Sequence, residues 1–297
     1  MDLLERENMI EKPFLSTAVF YLILCSTGSA EAVPRTSAID LAPHLAIYDM
    51  SLHNAMAGSN ISDIRGRLVF DFAGSTCAGY TLKSRLVTEV VDREGNATVT
   101  DLRSSTFENH AGDSFRFENK HYLGRQLSEQ VSGQAERREQ GNEIAVDLKQ
   151  PNKSQLKFDG AVLFPTQHSI AILDAALRGA RVLQADIYDG SEQGNKLFQT
   201  TTFIGRQIEP GTGNRLRAIA NADQLNRLIS WPISISYFET FGNPAQDEGL
   251  PTYELSFRLF ANGVSRDLLI NYGDFLIHGE LTRLDFHEPA ACGGVRN

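Results

Sequence analysis

The chain has 297 residues, of which 41% are hydrophobic and 22% charged, and its formal net charge is −9. This apolar content is too high for a disordered chain, and the acidic balance argues against a nucleic-acid-binding protein, which needs a basic surface. No apolar run reaches the roughly 18 residues that a membrane-spanning helix requires, so we do not expect a transmembrane protein.

The N-terminal segment has the pattern of an export signal. Residues 14–24 carry no charge and are followed by small and polar residues. The Ala-Glu-Ala sequence of residues 30–32 fits the small-x-small pattern of a signal-peptidase site, with cleavage before Val33; cleavage before Glu31 is the alternative. We therefore expect residues 1–32 to be a signal peptide that is removed, and residues 33–297 to form one mature domain.

The extreme N-terminus departs from this pattern. Before residue 13 the chain carries more acidic than basic side chains, whereas an export signal normally begins with net positive charge. The true start is therefore either Met1 or Met9. The alternative interpretation of the whole segment is a buried hydrophobic N-terminal helix.

The three cysteines are an odd number for a disulfide-bonded protein. Cys25 lies directly after the apolar segment, and the residue before it is Leu24 rather than the small residue of a lipoprotein signal, so we expect Cys25 to be removed. Cys77 and Cys292 remain. Since exported proteins commonly oxidise their cysteines, one disulfide is the favoured interpretation and two free buried thiols the alternative.

Most of the remaining chain has the alternating pattern of β strands separated by Gly, Asn and Asp turns. Hairpins are predicted at three turns: residues 92–96, Asp159-Gly160 and Asn262-Gly263. The polar stretch 128–143 is interpreted as an exposed strand, with a long loop as the alternative. Regular strands with few helices predict a mainly β fold in which one antiparallel sheet rolls up. The predicted strand segments are 44–52, 67–72, 86–91, 97–102, 115–117, 156–158, 161–164, 253–260, 264–270 and 276–286.

Two helices are predicted within this β pattern. The first covers residues 169–178, follows Pro165 and ends at Gly179, a typical C-terminal stop. The second, at residues 222–229, is shorter. A single amphipathic helix in a β-rich chain commonly packs across the concave face of a curved sheet, and we expect this of the first helix. Its predicted buried face comprises Ile170, Leu173, Ala176 and Leu177.

Motifs that would indicate a reaction are missing from the sequence. There is no phosphate-binding glycine loop, nucleophile elbow, H-E-x-x-H or C-x-x-C motif. We therefore expect no catalytic residues, no metal and no cofactor. Asp186 and Asp189 could contribute oxygen ligands to a cation, but Asp189-Gly190 is also a common turn dipeptide, and the structural turn is the favoured interpretation.

His168 is the most suggestive single residue, because it lies where the predicted strand 161–164 passes into the helix. It could act as a ligand or base. The favoured interpretation is a capping or buried hydrogen-bonding residue that fixes this corner. The run that begins with Trp231-Pro232 alternates as a strand with large apolar groups on both faces, which is typical of core packing, with a ligand contact as the alternative.

These same segments resemble the central signature of the EipB-like cell envelope integrity family, periplasmic proteins of alphaproteobacteria long catalogued as a domain of unknown function. The run Leu-Phe-Pro-Thr-Gln-His at residues 163–168, the Asp-Gly-Ser run that starts at Asp189, the strand 231–238 and the cysteine pair carry the resemblance. The signature residues are Phe164, Pro165, Thr166, His168, Gly179, Asp189, Gly190, Trp231 and Pro232.

The resemblance implies a β-spiral with a helix against its hydrophobic concave side and a disulfide between Cys77 and Cys292. It implies no enzymatic activity, a role in envelope homeostasis and a link to a periplasmic tetratricopeptide-repeat protein. We therefore predict a non-enzymatic envelope-integrity protein that acts through protein contacts. The alternative is a periplasmic carrier that holds a lipid, a lipoprotein chain or an extended peptide in an apolar concave face.

Overall fold

In the computed structural model, the described residues form 14 strands of one continuous antiparallel sheet that curves around one α helix. The structure describes residues 39–138, 142–212, 219, 221–239 and 249–292. The predicted signal peptide, with its cleavage sites, Cys25 and both candidate starts, lies outside these residues. The strands are β1 His44–Ala55, β2 Ile61–Ser75, β3 Gly79–Asp92, β4 Ala97–Glu108, β5 Ser114–Leu123, β6 Gln126–Arg138, β7 Glu143–Gln150, β8 Ser154–Asp159, β9 Val182–Ile187, β10 Phe198–Ile204, β11 Ser230–Glu239, β12 Tyr253–Phe260, β13 Ser265–Asn271 and β14 Phe275–Phe286; the helix, α1, is Pro165–Leu177.

The sheet is ordered β8-β7-β6-β5-β4-β3-β2-β1-β14-β13-β12-β11-β10-β9. The first strand, β1, therefore lies in the middle of the sheet. From β1 the following strands are added outward to the β8 edge. The chain then crosses through α1 to the β9 edge, and the remaining strands are added back to β14, beside β1. β1 pairs antiparallel with both β2 and β14, which joins the two halves. The predicted mainly β antiparallel fold is confirmed.

A short contact connects the segment after β8 to the other edge of the sheet. Leu163 pairs in parallel with Ile187: the Leu163 N–H donates to the Asp186 carbonyl at 2.8 Å, and the Tyr188 N–H donates to the Leu163 carbonyl at 3.0 Å. The predicted hairpin between β8 and residues 161–164 is therefore wrong. Val162 and Phe164 are buried, but the backbone of Leu163 pairs with β9 because the chain leaves β8 to start α1.

α1 ends within one residue of the predicted end, but it begins one turn earlier than predicted, because the Pro-Thr-Gln-His run before residue 169 is itself helical. Pro165 is its first residue and Gly179, at φ 77°, follows its C-cap, where the Gly179 N–H donates to the Ala176 carbonyl at 3.0 Å. The prediction that Leu177 is buried is wrong, because this side chain is 52% exposed. Leu177 is the last residue of the helix, beyond the buried part of this face. The buried residues are His168, Ile172, Leu173, Ala175 and Ala176.

The structure also describes the predicted second helix, at residues 222–229, and most of the polar stretch 128–143. The predicted short second helix is a 3₁₀ helix, Ala222–Arg227, in which Leu225 is fully buried. The polar stretch 128–143 is strand up to the end of β6, with Val131 and Ala135 buried, and β7 starts at Glu143. Residues 139–141 of this stretch lie outside the described part.

The helix packs against the concave face of the sheet, as the pattern predicts. Leu173 of α1 shares one apolar cluster with Phe72 of β2 and with Trp231 and Ile233 of β11. β2 and β11 are five positions apart in the sheet order, so the sheet must curve around α1 to bring them together. α1 therefore occupies the interior of the curved sheet.

A disulfide joins Cys77, in the turn after β2, to Cys292, beyond the end of β14. The neighbouring backbone supports the same arrangement, because the Ala290 N–H donates to the Gly74 carbonyl at 3.1 Å. The His287 Nε2 lies 2.8 Å from the Asp71 Oδ1. The C-terminal segment is thus held along β2, near the centre of the sheet.

Candidate functional site

A cavity of about 380 Å³ lies between α1 and the concave face of the sheet. It is bordered by residues of β1 to β4 on one side and of β9 and β11 to β13 on the other. Aliphatic and aromatic side chains form most of its wall, among them Leu68, Phe70, Leu82, Ile172, Phe257 and Leu268. This cavity corresponds to the apolar concave face in which a carrier would hold its ligand.

Two polar groups on the cavity wall are already paired within the protein. The His44 Nδ1 lies 2.7 Å from the Ala42 carbonyl, and burial lowers the pKa of His44. The Tyr48 hydroxyl donates to the Ser265 carbonyl at 2.7 Å. These groups close the β1 side of the cavity without requiring a ligand.

His168 differs from these two residues. Its side chain lines the cavity and is 5% exposed, and its Nε2 has no hydrogen-bond partner among the described residues. Burial lowers the pKa of His168 to about 4, so the ring is neutral at neutral pH. The predicted side-chain hydrogen bond at the strand-to-helix corner is not found in the described part of the chain. The residue is buried as expected, but its ring does not cap the helix.

The helix is capped instead by Glu108, at the end of β4, which sequence reasoning missed. The Thr166 N–H donates to the Glu108 Oε1 at 2.6 Å, and the Gln167 N–H donates to Oε2 at 3.3 Å. The residue is 3% exposed, and burial raises the pKa of its carboxyl. A carboxylate at a helix N-terminus satisfies free N–H groups and complements the helix dipole. No local sequence pattern could indicate a cap that comes from a distant strand.

Arg137 of β6 holds the chain that leads into the helix. Its Nη1 donates to the Val162 carbonyl and its Nη2 to the Gln167 Oε1, both at 2.8 Å. Its guanidinium also lies 5.2 Å from the centre of the fully buried Phe164 ring. With Glu108, Arg137 fixes the position of Pro165 and Thr166 at the cavity wall.

Asp189 lies on the cavity wall just after β9. Its Oδ1 accepts a hydrogen bond from the Ser191 N–H at 2.9 Å, which is the geometry of the structural turn that the sequence favours. Burial raises the pKa of the Asp189 carboxyl. Within the described ranges no group of three or more His, Cys, Asp and Glu side chains is arranged to hold a metal ion.

Gly190 allows the loop after Asp189 to pack on β5. It adopts φ 69°, and a Cβ at this position would lie 2.4 Å from the Phe117 ring. The Asn119 Nδ2 donates to the Gly190 carbonyl at 2.9 Å. A glycine is therefore required both by the backbone conformation and by the contact.

Tyr237 connects the cavity wall to a row of aromatic rings. Its ring stacks on Tyr253 with 4.4 Å between the centroids, and Tyr253 lies 6.3 Å from Tyr272, which is 43% exposed. Burial raises the pKa values of both Tyr237 and Tyr253. The row is apolar on its faces and leads from the cavity to the surface.

The remaining signature residues have structural positions away from the cavity. Trp231 is 2% exposed in the core beside α1. Pro232 is exposed in β11 at the point where β10 has ended, and its carbonyl accepts from the Gly205 N–H at 2.7 Å. A proline lacks the N–H of a sheet ladder, so this end position suits it. The signature thus brings Pro165, Thr166, His168 and Asp189 to the cavity wall, while Gly179, Trp231, Pro232, Cys77 and Cys292 do not line it.

Comparison with known proteins gives three consistent matches. The family model described as EipB-like matches residues 35–288. The chain is 37% identical, over 262 residues, to the cell envelope integrity protein EipB of Brucella abortus, and the match covers 88% of this chain and 90% of that protein. It is also similar to the crystal structure of a beta-barrel-like protein of a domain of unknown function from Brucella abortus, with a TM-score of 0.77 and 34% identity over 84% of this chain and all of that one.

The helices of the described residues were also compared with the length of a membrane span. Within those ranges none is both long enough and apolar enough to cross a bilayer.

Proposed function

Because the chain belongs to the EipB-like family, we propose that it maintains the integrity of the cell envelope by holding an apolar ligand in the cavity beneath α1. The cavity is the observation that carries the proposal. The sequence alone favours a role through protein contacts and keeps the carrier as the alternative. The cavity supports the carrier role over a role through protein contacts.

The physical argument starts from packing. Protein interiors are packed about as densely as organic crystals, and few contain a void much larger than a water molecule. An apolar space of about 380 Å³ at the centre of a sheet therefore requires an explanation. Ligand sites in proteins typically have volumes of about 300–1,000 Å³ and mostly apolar walls with a few polar groups, and this cavity has both properties.

The proposed setting is the periplasm, after removal of residues 1–32, and the proposed role involves no catalysis. The envelope role of the relative from Brucella abortus supports this compartment. We propose that a single domain, residues 33–297, carries the whole function.

Protein contacts remain a second candidate because of one exposed apolar group. Val182 lies directly opposite Phe203 in the β9–β10 ladder, and both side chains are exposed, as is Leu177 at the end of α1. They are 50%, 54% and 52% exposed, respectively. A periplasmic tetratricopeptide-repeat protein, which the family resemblance implies, is the proposed partner for such a surface.

The test is native mass spectrometry of protein purified from the envelope fraction, followed by extraction and identification of bound molecules. We expect an apolar ligand on the wild-type chain. Ile172→Trp places a large side chain in the cavity and should abolish this ligand, whereas the matched control Leu177→Trp, on the exposed side of the same helix, should retain it. A wild-type protein that carries no ligand and binds no uncharged apolar fluorophore would exclude the carrier role.

A further inference from the structure

One group of polar residues on the cavity wall lies where α1 begins beside the end of β9. His168 and Thr166 lie in the first turn of α1, and Asp189 follows β9; the bridge between Leu163 and Ile187 holds these two segments side by side. We call these three residues the polar end of the cavity. The wall that β12 contributes, including Phe257, is apolar. On α1, Ile172 is apolar and the Ser169 hydroxyl is already paired, because it donates to the Pro165 carbonyl at 3.1 Å.

The charged residues on the cavity wall limit which head groups a ligand can carry. Among the described residues that line the cavity there is neither a lysine nor an arginine, and Asp189 is the one acidic side chain. His44 and His168 both have lowered pKa values because of burial, so neither supplies a positive charge at neutral pH. A buried anionic head group would therefore lie unpaired beside a carboxyl group, and burying an unpaired charge costs several kcal/mol.

The unpartnered ring nitrogen of His168 indicates what the ligand brings instead. A buried polar atom without a hydrogen bond is costly, so such atoms are uncommon in folded proteins unless a ligand or water pairs with them. The neutral imidazole can donate from one nitrogen and accept at the other, which suits a hydroxyl or amide group. The side chain is 5% exposed, so a partner must come from within the cavity.

We propose that the cavity binds a single apolar chain whose uncharged hydroxyl or amide head group hydrogen-bonds to His168, and that Asp189 excludes ligands with an anionic head group. This inference rests on the proposed carrier function and specifies its ligand class. The chain lies along the apolar wall, and the head group lies at the polar end. The cavity therefore binds acyl glycerols and acyl amides more tightly than free fatty acid anions of the same chain length.

The test measures displacement of N-phenyl-1-naphthylamine, an uncharged apolar fluorophore, from the purified full-length mature protein at neutral pH. Three probes with the same twelve-carbon chain are compared below their micelle concentrations: monododecanoylglycerol, dodecanoate and dodecylammonium. We expect the glycerol ester to displace the fluorophore at about a tenfold lower concentration than dodecanoate, a difference of ~1.4 kcal/mol.

Two variants assign the selectivity to its residues. Asp189→Asn keeps the shape and the oxygen that accepts from Ser191, and it should improve dodecanoate binding severalfold relative to binding of the glycerol ester. His168→Phe keeps the ring volume but removes both nitrogens, so it should weaken binding of the glycerol ester severalfold relative to that of the fluorophore.

The outcomes separate this inference from the function on which it rests. If the fluorophore binds but dodecanoate matches the glycerol ester, or dodecylammonium exceeds both, the proposed head-group selectivity is wrong and the carrier role stands. If neither the fluorophore nor any probe binds, the carrier role fails and the inference fails with it.

Discussion

The Glu108 carboxylate at the end of β4 accepts a hydrogen bond at 2.6 Å from the Thr166 N–H, in the first turn of α1, although the two residues are 58 positions apart in the sequence. This contact places the only α helix of the described residues against the curved sheet. It also sets the edge of the cavity, because Thr166 lines it. The position of α1 is therefore determined by a bond between distant parts of the chain.

Glu108→Ala should destabilise the protein by about 1–3 kcal/mol. The substitution removes a helix cap and its favourable interaction with the helix dipole, and it leaves two N–H groups in the first turn of α1 without their partner. Urea-induced unfolding would measure the change. Glu89→Ala, at an exposed position of β3, is the matched control and should change the free energy of unfolding by less than about 0.5 kcal/mol. Equal effects of the two substitutions would contradict the capping role.

His168→Phe should make the stability less sensitive to acid. The pKa of His168 is lowered from 6.5 to about 4 by burial, so the unfolded state binds more protons than the folded state between these values. Stability contributed by the neutral ring is therefore fully present above about pH 6.5 and is lost as the pH falls towards 4, by roughly 3 kcal/mol. His168→Phe has no ionisable ring at this position, so this part of the loss in free energy of unfolding should be absent from the variant.

The measurement for His168→Phe is unfolding by urea at pH 7 and at pH 4.5, with the wild-type protein and the variant compared at each pH. Other groups with altered pKa values are present in both proteins, so only the difference between them reports on His168. At pH 7 the variant should be at least as stable as the wild type, because it removes a buried nitrogen without a partner. Parallel pH profiles would show that the ring is not buried as described.

Local sequence was sufficient to predict most of the strands and the presence of α1, because alternation, turn glycines and the proline and glycine at the helix ends act over a few residues. The turn at Asn262-Gly263 shows this: it joins β12 to β13 as predicted. Local sequence did not predict β7, β9 or β10. The incorrect predictions involve distant partners. Residues 161–164 have a strand pattern, but they pair with Ile187 of β9, which lies beyond the helix.

The residues of the candidate site also fall into those that local sequence indicates and those that depend on distant contacts. The signature residues Thr166, His168 and Asp189 were identified from the sequence, and all three line the cavity. Glu108 and Arg137, which hold the helix there, were not identified, because nothing near either residue in sequence indicates a contact with α1. A cavity is a property of the packed sheet, so neither its volume nor the missing partner of the His168 Nε2 among the described residues could be predicted from residue patterns.

Gly190→Ala should destabilise the protein more than Gly95→Ala does. Both glycines have positive φ, 69° and 88°, so each substitution adds backbone strain. A Cβ at Gly190 would also lie 2.4 Å from the Phe117 ring, whereas one at Gly95 would meet no atom within 4 Å. We expect the excess for Gly190→Ala to be about 1–3 kcal/mol, in line with overpacking of a core. Thermal unfolding of the two variants, measured together, would check it; equal midpoints would mean that the loop after β9 does not pack on β5.

Cys292→Ser should lower the stability of the oxidised protein by about 2–4 kcal/mol. The bond between Cys77 and Cys292 closes a loop with a sequence separation of 215, and a crosslink over so long a loop restricts the unfolded chain strongly. The C-terminal segment also makes local contacts to β2, including the bond between the Ala290 N–H and the Gly74 carbonyl, so the variant should still fold. Unfolding is measured with and without a reductant. The wild type should lose stability on reduction until it matches Cys292→Ser, and the variant should be insensitive to the reductant. A wild-type midpoint that does not change on complete reduction would show that the disulfide does not stabilise the fold.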